Sequence, residues 1–87
     1  MYNVIVKRKV IRDLRKLPMD VQERFLRLAS DLRDNGPVQP QWQNFSRLSN
    51  GDYHCHLGYH HVACWRNENG TITIEVYYVG SREGAPY

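Results

Sequence analysis

The sequence predicts an α+β fold, a small antiparallel sheet with two N-terminal helices packed on one face, and three observations carry that prediction. A β-branched run, Asn3-Val4-Ile5-Val6, opens the chain; two amphipathic helical patterns follow; and three strand-like segments separated by turn signals fill residues 52–79. The order is β-α-α-β-β-β. With 87 residues the chain suits one domain spanning 1–87, because a domain takes roughly 50–200 residues and so short a chain buries only about 60% of its unfolded surface.

Each element has a local reason. Residues 2–6 are short and β-branched, as a strand covered on at least one side requires. Val10, Ile11, Leu14 and Leu17 recur at helical spacing, with Arg8, Lys9, Arg12, Asp13, Arg15 and Lys16 on the other side of the wheel, until Pro18 stops them. Asp20 followed by Glu23 resembles a capping box, and Val21, Phe25, Leu28, Ala29 and Leu32 form one apolar stripe up to Asn35-Gly36-Pro37. Residues 36–50 carry Pro37 and Pro40 and read as a surface connection, with Trp42, Phe45 and Leu48 tucking back. Segments 52–57 and 60–66 flank Gly58-Tyr59 as a tight hairpin, and Asn67-Glu68-Asn69-Gly70 turns into the strand 71–79. There Ile72, Ile74, Val76 and Tyr78 alternate with Thr73, Glu75 and Tyr77, so one face packs on the helices.

Composition narrows the function. A hydrophobic share of 41% with 24% charged residues excludes disordered and low-complexity classes. No apolar run approaches the roughly 20 residues of a bilayer span or the roughly 7–15 of a signal-peptide core, so a cytoplasmic chain without a membrane partner is expected. The net charge of +3 is uneven: residues 1–33 hold nine basic and four acidic side chains, the rest three and five. A polyanionic partner suits that first third. Cys55 and Cys64 are too few for a disulfide framework and read as small buried hydrophobes.

All four histidines, His54, His56, His60 and His61, fall within eight residues on the two arms of the hairpin. His54 and His56 are two apart on a strand, so both rings leave the face opposite Tyr53, Cys55 and Leu57. A tight turn at Gly58 is expected to bring His60 or His61 across from His56, with parity admitting one of the two. Imidazoles titrate near pH 6.5, so such a cluster supplies a neutral base beside a protonated acid. On RNA this equipment suits attack of a 2′-hydroxyl on the adjacent phosphate, which requires no metal and no cofactor. Arg82 is the cation that fits the phosphorane charge. A zinc site built from His54, His56, a third histidine and Cys64 is the competing reading, although its spacing matches no common structural pattern.

The run Leu48-Ser49-Asn50-Gly51-Asp52-Tyr53-His54-Cys55-His56-Leu57-Gly58-Tyr59-His60-His61-Val62, then Val76-Tyr77-Tyr78-Val79-Gly80-Ser81-Arg82-Glu83 and a terminal Ala85-Pro86-Tyr87, resembles the RelE/ParE superfamily of type II toxins. The element order agrees along the whole chain. The resemblance implies a RelE-like microbial RNase fold and an mRNA-cleaving toxin that acts in the ribosomal A site and is held inactive by a cognate antitoxin. By position, the family's basic strand residues fall on His54 and His56, its hairpin arginine on His60, its late arginine on Arg82 and its terminal tyrosine on Tyr87. Histidine thus replaces the usual lysines and hairpin arginine, leaving Arg82 as the one fixed charge among these positions. The resemblance casts His54 or His56 as base, His60 as acid or phosphate contact, Arg82 as clamp, and Tyr87 as base or orienting hydroxyl. It gives Arg8, Lys9, Arg12, Arg15, Arg24, Arg27 and Arg47 a use in gripping messenger and ribosomal RNA. The same cationic face, or the groove over the sheet, suits an antitoxin in a hetero-oligomer. A ParE-like toxin that poisons gyrase without cutting RNA shares the fold, and a His/Cys metal-binding module is the third reading.

Overall fold

The computed structural model describes all residues, 1–87. Its elements are β1 (Asn3–Val6), α1 (Arg8–Leu14), α2 (Met19–Asn35), β2 (Ser46–Arg47), β3 (Tyr53–His56), β4 (His61–Asn67) and β5 (Thr73–Ser81). They form a five-stranded sheet in the order β1-β5-β4-β3-β2. The meander β3-β4-β5 is antiparallel as expected, but β1 joins β5 in parallel, with Val4 opposite Ile74 and Val6 opposite Val76, so the sheet is mixed. The two helices between β1 and the meander make the crossover that parallel pairing needs. The connection 36–50 also contributes a strand that was not expected: Ser46 and Arg47 pair with His54 and Tyr53.

Helix α1 ends at Leu14, earlier than its periodicity suggested, and residues 15–17 close as a tight turn in which the Leu17 amide donates to the Leu14 carbonyl (3.1 Å). Val10 is its buried anchor, while Ile11 remains 43% exposed. The capping box does not form. Pro18 is the α2 N-cap, its extended ψ of 148° leaving its carbonyl to accept from Val21 and Gln22, and Asp20 inside the first turn lies 3.5 Å from Arg24. Val21, Phe25, Leu28 and Leu32 then pack on Cys55, Ala63, Trp65, Ile74, Val76 and Val79. The helix stops at Gly36, whose φ of 94° and whose approach to the Tyr2 ring leave no room for a side chain.

Strict alternation fails once in β5. Cys64 pairs with Tyr78 and Trp65 with Val76, so Tyr77 is an extra residue in a bulge. Beyond it the faces exchange: Val79 enters the core, and Tyr78, expected there, goes to the face away from the helices with Gly80. That bulge aims the last part of β5 at the histidines.

Candidate functional site

On the face away from the helices, neighbouring strands bring His54, Cys64 and Tyr78 into one row and His56, Val62 and Gly80 into the next. Val62 and Cys64 are fully buried, and neither belongs to the helix-side core cluster. The C-terminal tail turns back towards this face: the Gly84 amide donates to Ser81 Oγ (3.1 Å), the Ala85 amide to the Arg82 carbonyl (3.3 Å), and Tyr78 Oη to the Ser81 carbonyl (2.7 Å). The chain's last ring, Tyr87, comes to rest with its centroid 4.7 Å from that of His54.

His54 is the centre of the patch. It is 8% exposed, Ser46 Oγ lies 2.9 Å from its Nδ1, and the His56 ring stands edge-on at 5.8 Å. Burial, and next the His56 imidazole, hold the His54 pKa below the usual histidine value, while a hydrogen bond to the Ser46 backbone acts in the opposite direction. The ring therefore favours its neutral, proton-accepting form. In the tautomer whose Nδ1–H donates to the serine hydroxyl, Nε2 carries the free lone pair. Burial and Cys64 raise the Tyr87 phenol against the pull of Arg82, so this hydroxyl stays protonated at neutral pH.

The hairpin corrects one expectation. Its loop is Gly58-Tyr59-His60, closed by the Leu57 amide on the His61 carbonyl (2.8 Å), so Val62 and neither His60 nor His61 stands across from His56. A three-residue loop, with Gly58 at φ 133°, shifts the register by one step from the two-residue turn. His60 lies exposed in the loop, its ring edge-on to Tyr59 (4.7 Å), and its carbonyl accepts from the Arg82 amide (2.8 Å). The Arg82 guanidinium lies 5.2 Å from the Tyr59 ring centre. His61 shares the parity of Ala63 and projects to the helix side. Thus His54, His56 and Tyr87 form one group, Tyr59, His60 and Arg82 a second at the hairpin tip, and His61 belongs to neither.

The thiols are chemically quiet. Both are buried and free, and burial pushes each to about 12. Cys55 faces the helices and Cys64 the histidine side, and no three His, Cys, Asp or Glu side chains converge as metal donors. The basic residues divide as well. Lys9 pairs with Asp13 (2.7 Å), Arg24 reaches Asp20 and the Leu57 carbonyl (3.1 Å), and Arg47 stacks over Tyr53 (5.4 Å). Arg8, Arg12, Arg15 and Arg27 have no carboxylate partner.

The backbone matches solved toxin structures over nearly its full length. The archaeal RelE–RelB complex from Pyrococcus horikoshii OT3 matches with a TM-score of 0.81 at 22% identity, covering 97% of this chain and 98% of that one. The fold is that of the RelE-like toxins. The isolated E. coli RelE toxin matches at 0.73 with 16% identity over 99% and 89% of the two chains, and the YoeB–YefM complex from Staphylococcus aureus at 0.72 with 14% over 94% and 98%. No protein-family model and no curated protein sequence matches the chain. Within the RelE-like frame, sequence reasoning missed three site residues. Ser46 carried no signal because its place depends on β2 pairing; Tyr59 read as a turn residue, and Tyr78 as core.

Proposed function

We propose that this chain is the toxin of a toxin–antitoxin pair and acts as an endoribonuclease that cuts mRNA, with translation in the ribosomal A site as its target. The single observation that carries the reading is the placement of a buried, neutral-leaning His54 between Ser46, His56 and Tyr87, with Arg82 at the hairpin tip near enough to pull on the Tyr87 phenol. Two adjacent imidazoles, one of them driven towards its neutral form, match the division of labour that 2′-hydroxyl chemistry demands. The likeness to RelE and YoeB structures in complex with RelB and YefM supports the antitoxin partner.

In the proposed reaction His54 takes the 2′-hydroxyl proton, and the 2′-oxygen attacks the adjacent phosphorus. The bond to the 5′-oxygen breaks, and His56 in its imidazolium form returns a proton to that leaving oxygen. The products are a 2′,3′-cyclic phosphate and a 5′-hydroxyl, and no step requires a metal. Arg82 binds the phosphate oxygens as negative charge builds, His60 contacts the phosphate from the loop, and the protonated Tyr87 hydroxyl orients it. Arg8, Lys9, Arg12 and Arg15 hold ribosomal RNA, and Arg47 adds a contact beside β3.

Mapping mRNA ends in a translating-ribosome assay tests this. The wild-type chain is expected to leave 5′-hydroxyl ends, and His54→Gln to lose about 100-fold or more in rate while remaining folded. A folded His54→Gln variant that cuts at the wild-type rate would exclude the mechanism. Inhibition of gyrase supercoiling with intact mRNA would move the chain to the gyrase-directed reading.

A further inference from the structure

A groove of about 430 Å³ runs from the hairpin tip to α2, lined by Arg24, Arg27, Trp42, Gln43, His56 and Tyr59. A second hollow of about 270 Å³ continues it along Arg27, Trp42 and Gln43. The groove touches both groups of the site: His56 stands beside His54 in the sheet pair, and Tyr59 carries His60 and Arg82 at the hairpin tip. No Asp or Glu lines the larger groove, and Arg27 has no carboxylate partner. The one acidic residue of the second hollow, Asp31, accepts from Trp42 Nε1 (2.9 Å), which fixes the indole plane.

From this we infer that the groove is a single-stranded RNA subsite, which holds the nucleotides on one side of the scissile phosphate and leads them from His56 over Tyr59 and Trp42 to Arg27. The inference rests on the ribonuclease reading for what lies at His56, but the groove's own chemistry selects the ligand. Arg27, a guanidinium without a neutralising carboxylate, takes a phosphate, and aromatic faces beside it take bases; a Tyr59 ring that is 71% exposed serves no packing role in the core. An acidic protein segment would use the arginines but has no need of flat aromatic walls. Arg24, bonded to the Leu57 carbonyl, ties α2 to the hairpin and keeps the groove aligned with the histidines.

The probes are 2′-O-methyl oligoadenylates of four and eight nucleotides, which bind without being cut, followed by fluorescence anisotropy over a salt series. The octamer is expected to bind wild-type protein more tightly than the tetramer. Arg27→Glu should weaken the octamer at least tenfold, and Arg27→Gln should lower its salt slope by about 0.7, the value for one phosphate on a single strand. Tyr59→Leu should cost about fivefold or more. Arg33→Gln, at the far end of α2 beside Asp34, is the charge control and should leave binding unchanged. Octamer affinity and salt slope unaltered in both Arg27 variants would overturn the subsite, as would displacement of the octamer by polyglutamate at equal affinity. Ribosomal cleavage by a protein whose octamer binding ignores Arg27 removes the subsite and leaves the ribonuclease reading standing. Arg27-dependent binding by a protein that cuts nothing does the reverse.

Discussion

Two polar grooves flank the β3–β4 hairpin, and they differ in what their arginines are doing. At the turn end, a groove of about 510 Å³ is lined by Arg47, Asp52, Arg66 and Glu68 among others. Arg66 lies 3.7 Å from Asp52, 3.8 Å from Glu75, and 4.2 Å from the Tyr77 ring centre, while Arg47 covers Tyr53. At the tip end, the smaller groove contains no carboxylate, and Arg82 nearby touches only an aromatic face. Volume alone would favour the first groove. Arg27 and Arg82, which have no acidic partner, favour the second, because an already neutralised cation has little to offer a phosphate.

The sharpest way to break this comparison is to remove one arginine from each end. Arg82→Ala should reduce cleavage about 100-fold or more with little change in melting temperature, since an exposed tail residue holds few contacts. Arg66→Met should do the opposite, lowering stability by about 0.5–2 kcal/mol in denaturant titrations while cleavage stays within about threefold of wild type. If Arg66→Met impairs cleavage as severely as Arg82→Ala, the two ends are not functionally distinct.

A smaller effect tests whether the tip groove depends on the hairpin loop. Gly58 has φ 133°, and a Cβ added there would approach Arg24 Nη1 to 2.7 Å, displacing the guanidinium that bonds Leu57. Gly58→Ala is expected to destabilise the protein by about 1–3 kcal/mol through backbone strain, and to weaken octamer binding as Arg24 loses its anchor. Unchanged denaturation midpoints would show that the loop relaxes at no cost.

What the sequence made legible follows from what is local. The apolar stripe of α2, the meander and the shared face of His54 and His56 each rest on a period of 3.6 or 2, and each appears in the structure. What it hid depends on pairing between distant segments. The parallel register of β1 on β5 and the edge strand that delivers Ser46 to His54 exist only once the sheet is assembled. The bulge at Tyr77 is equally invisible to alternation, yet it decides that Tyr78 and Gly80 face the histidines and Val79 the core. Buried Gln39, whose side-chain amide donates to the Gly36 and Asp31 carbonyls, was concealed for the same reason: its burial comes from the connection folding under α2. The histidine cluster was readable as a cluster, but its division into a sheet pair, a loop residue and a helix-side residue required the true loop length.

The finest discrimination comes from pH. The folded pKa of His54 is lowered by burial and by His56, so the unfolded chain binds its proton more readily than the folded one. The associated stability is therefore fully present above the ordinary imidazole pKa near 6.5 and is lost as pH falls through the lowered folded value. Asp13, whose carboxyl is lowered by its Lys9 bond, acts in the same direction but only at and below the ordinary aspartate value of 3.8, which separates the two windows. Urea midpoints measured from pH 7.5 down to 5 should thus decline for wild type and flatten for His54→Gln. His56→Gln removes the neighbouring imidazole that helps to hold the His54 pKa down, so its decline should be shallower than that of the wild type. A decline of equal slope in wild type and His54→Gln would mean that the ring titrates as freely folded as unfolded, and that the site lacks the neutral base on which its chemistry depends.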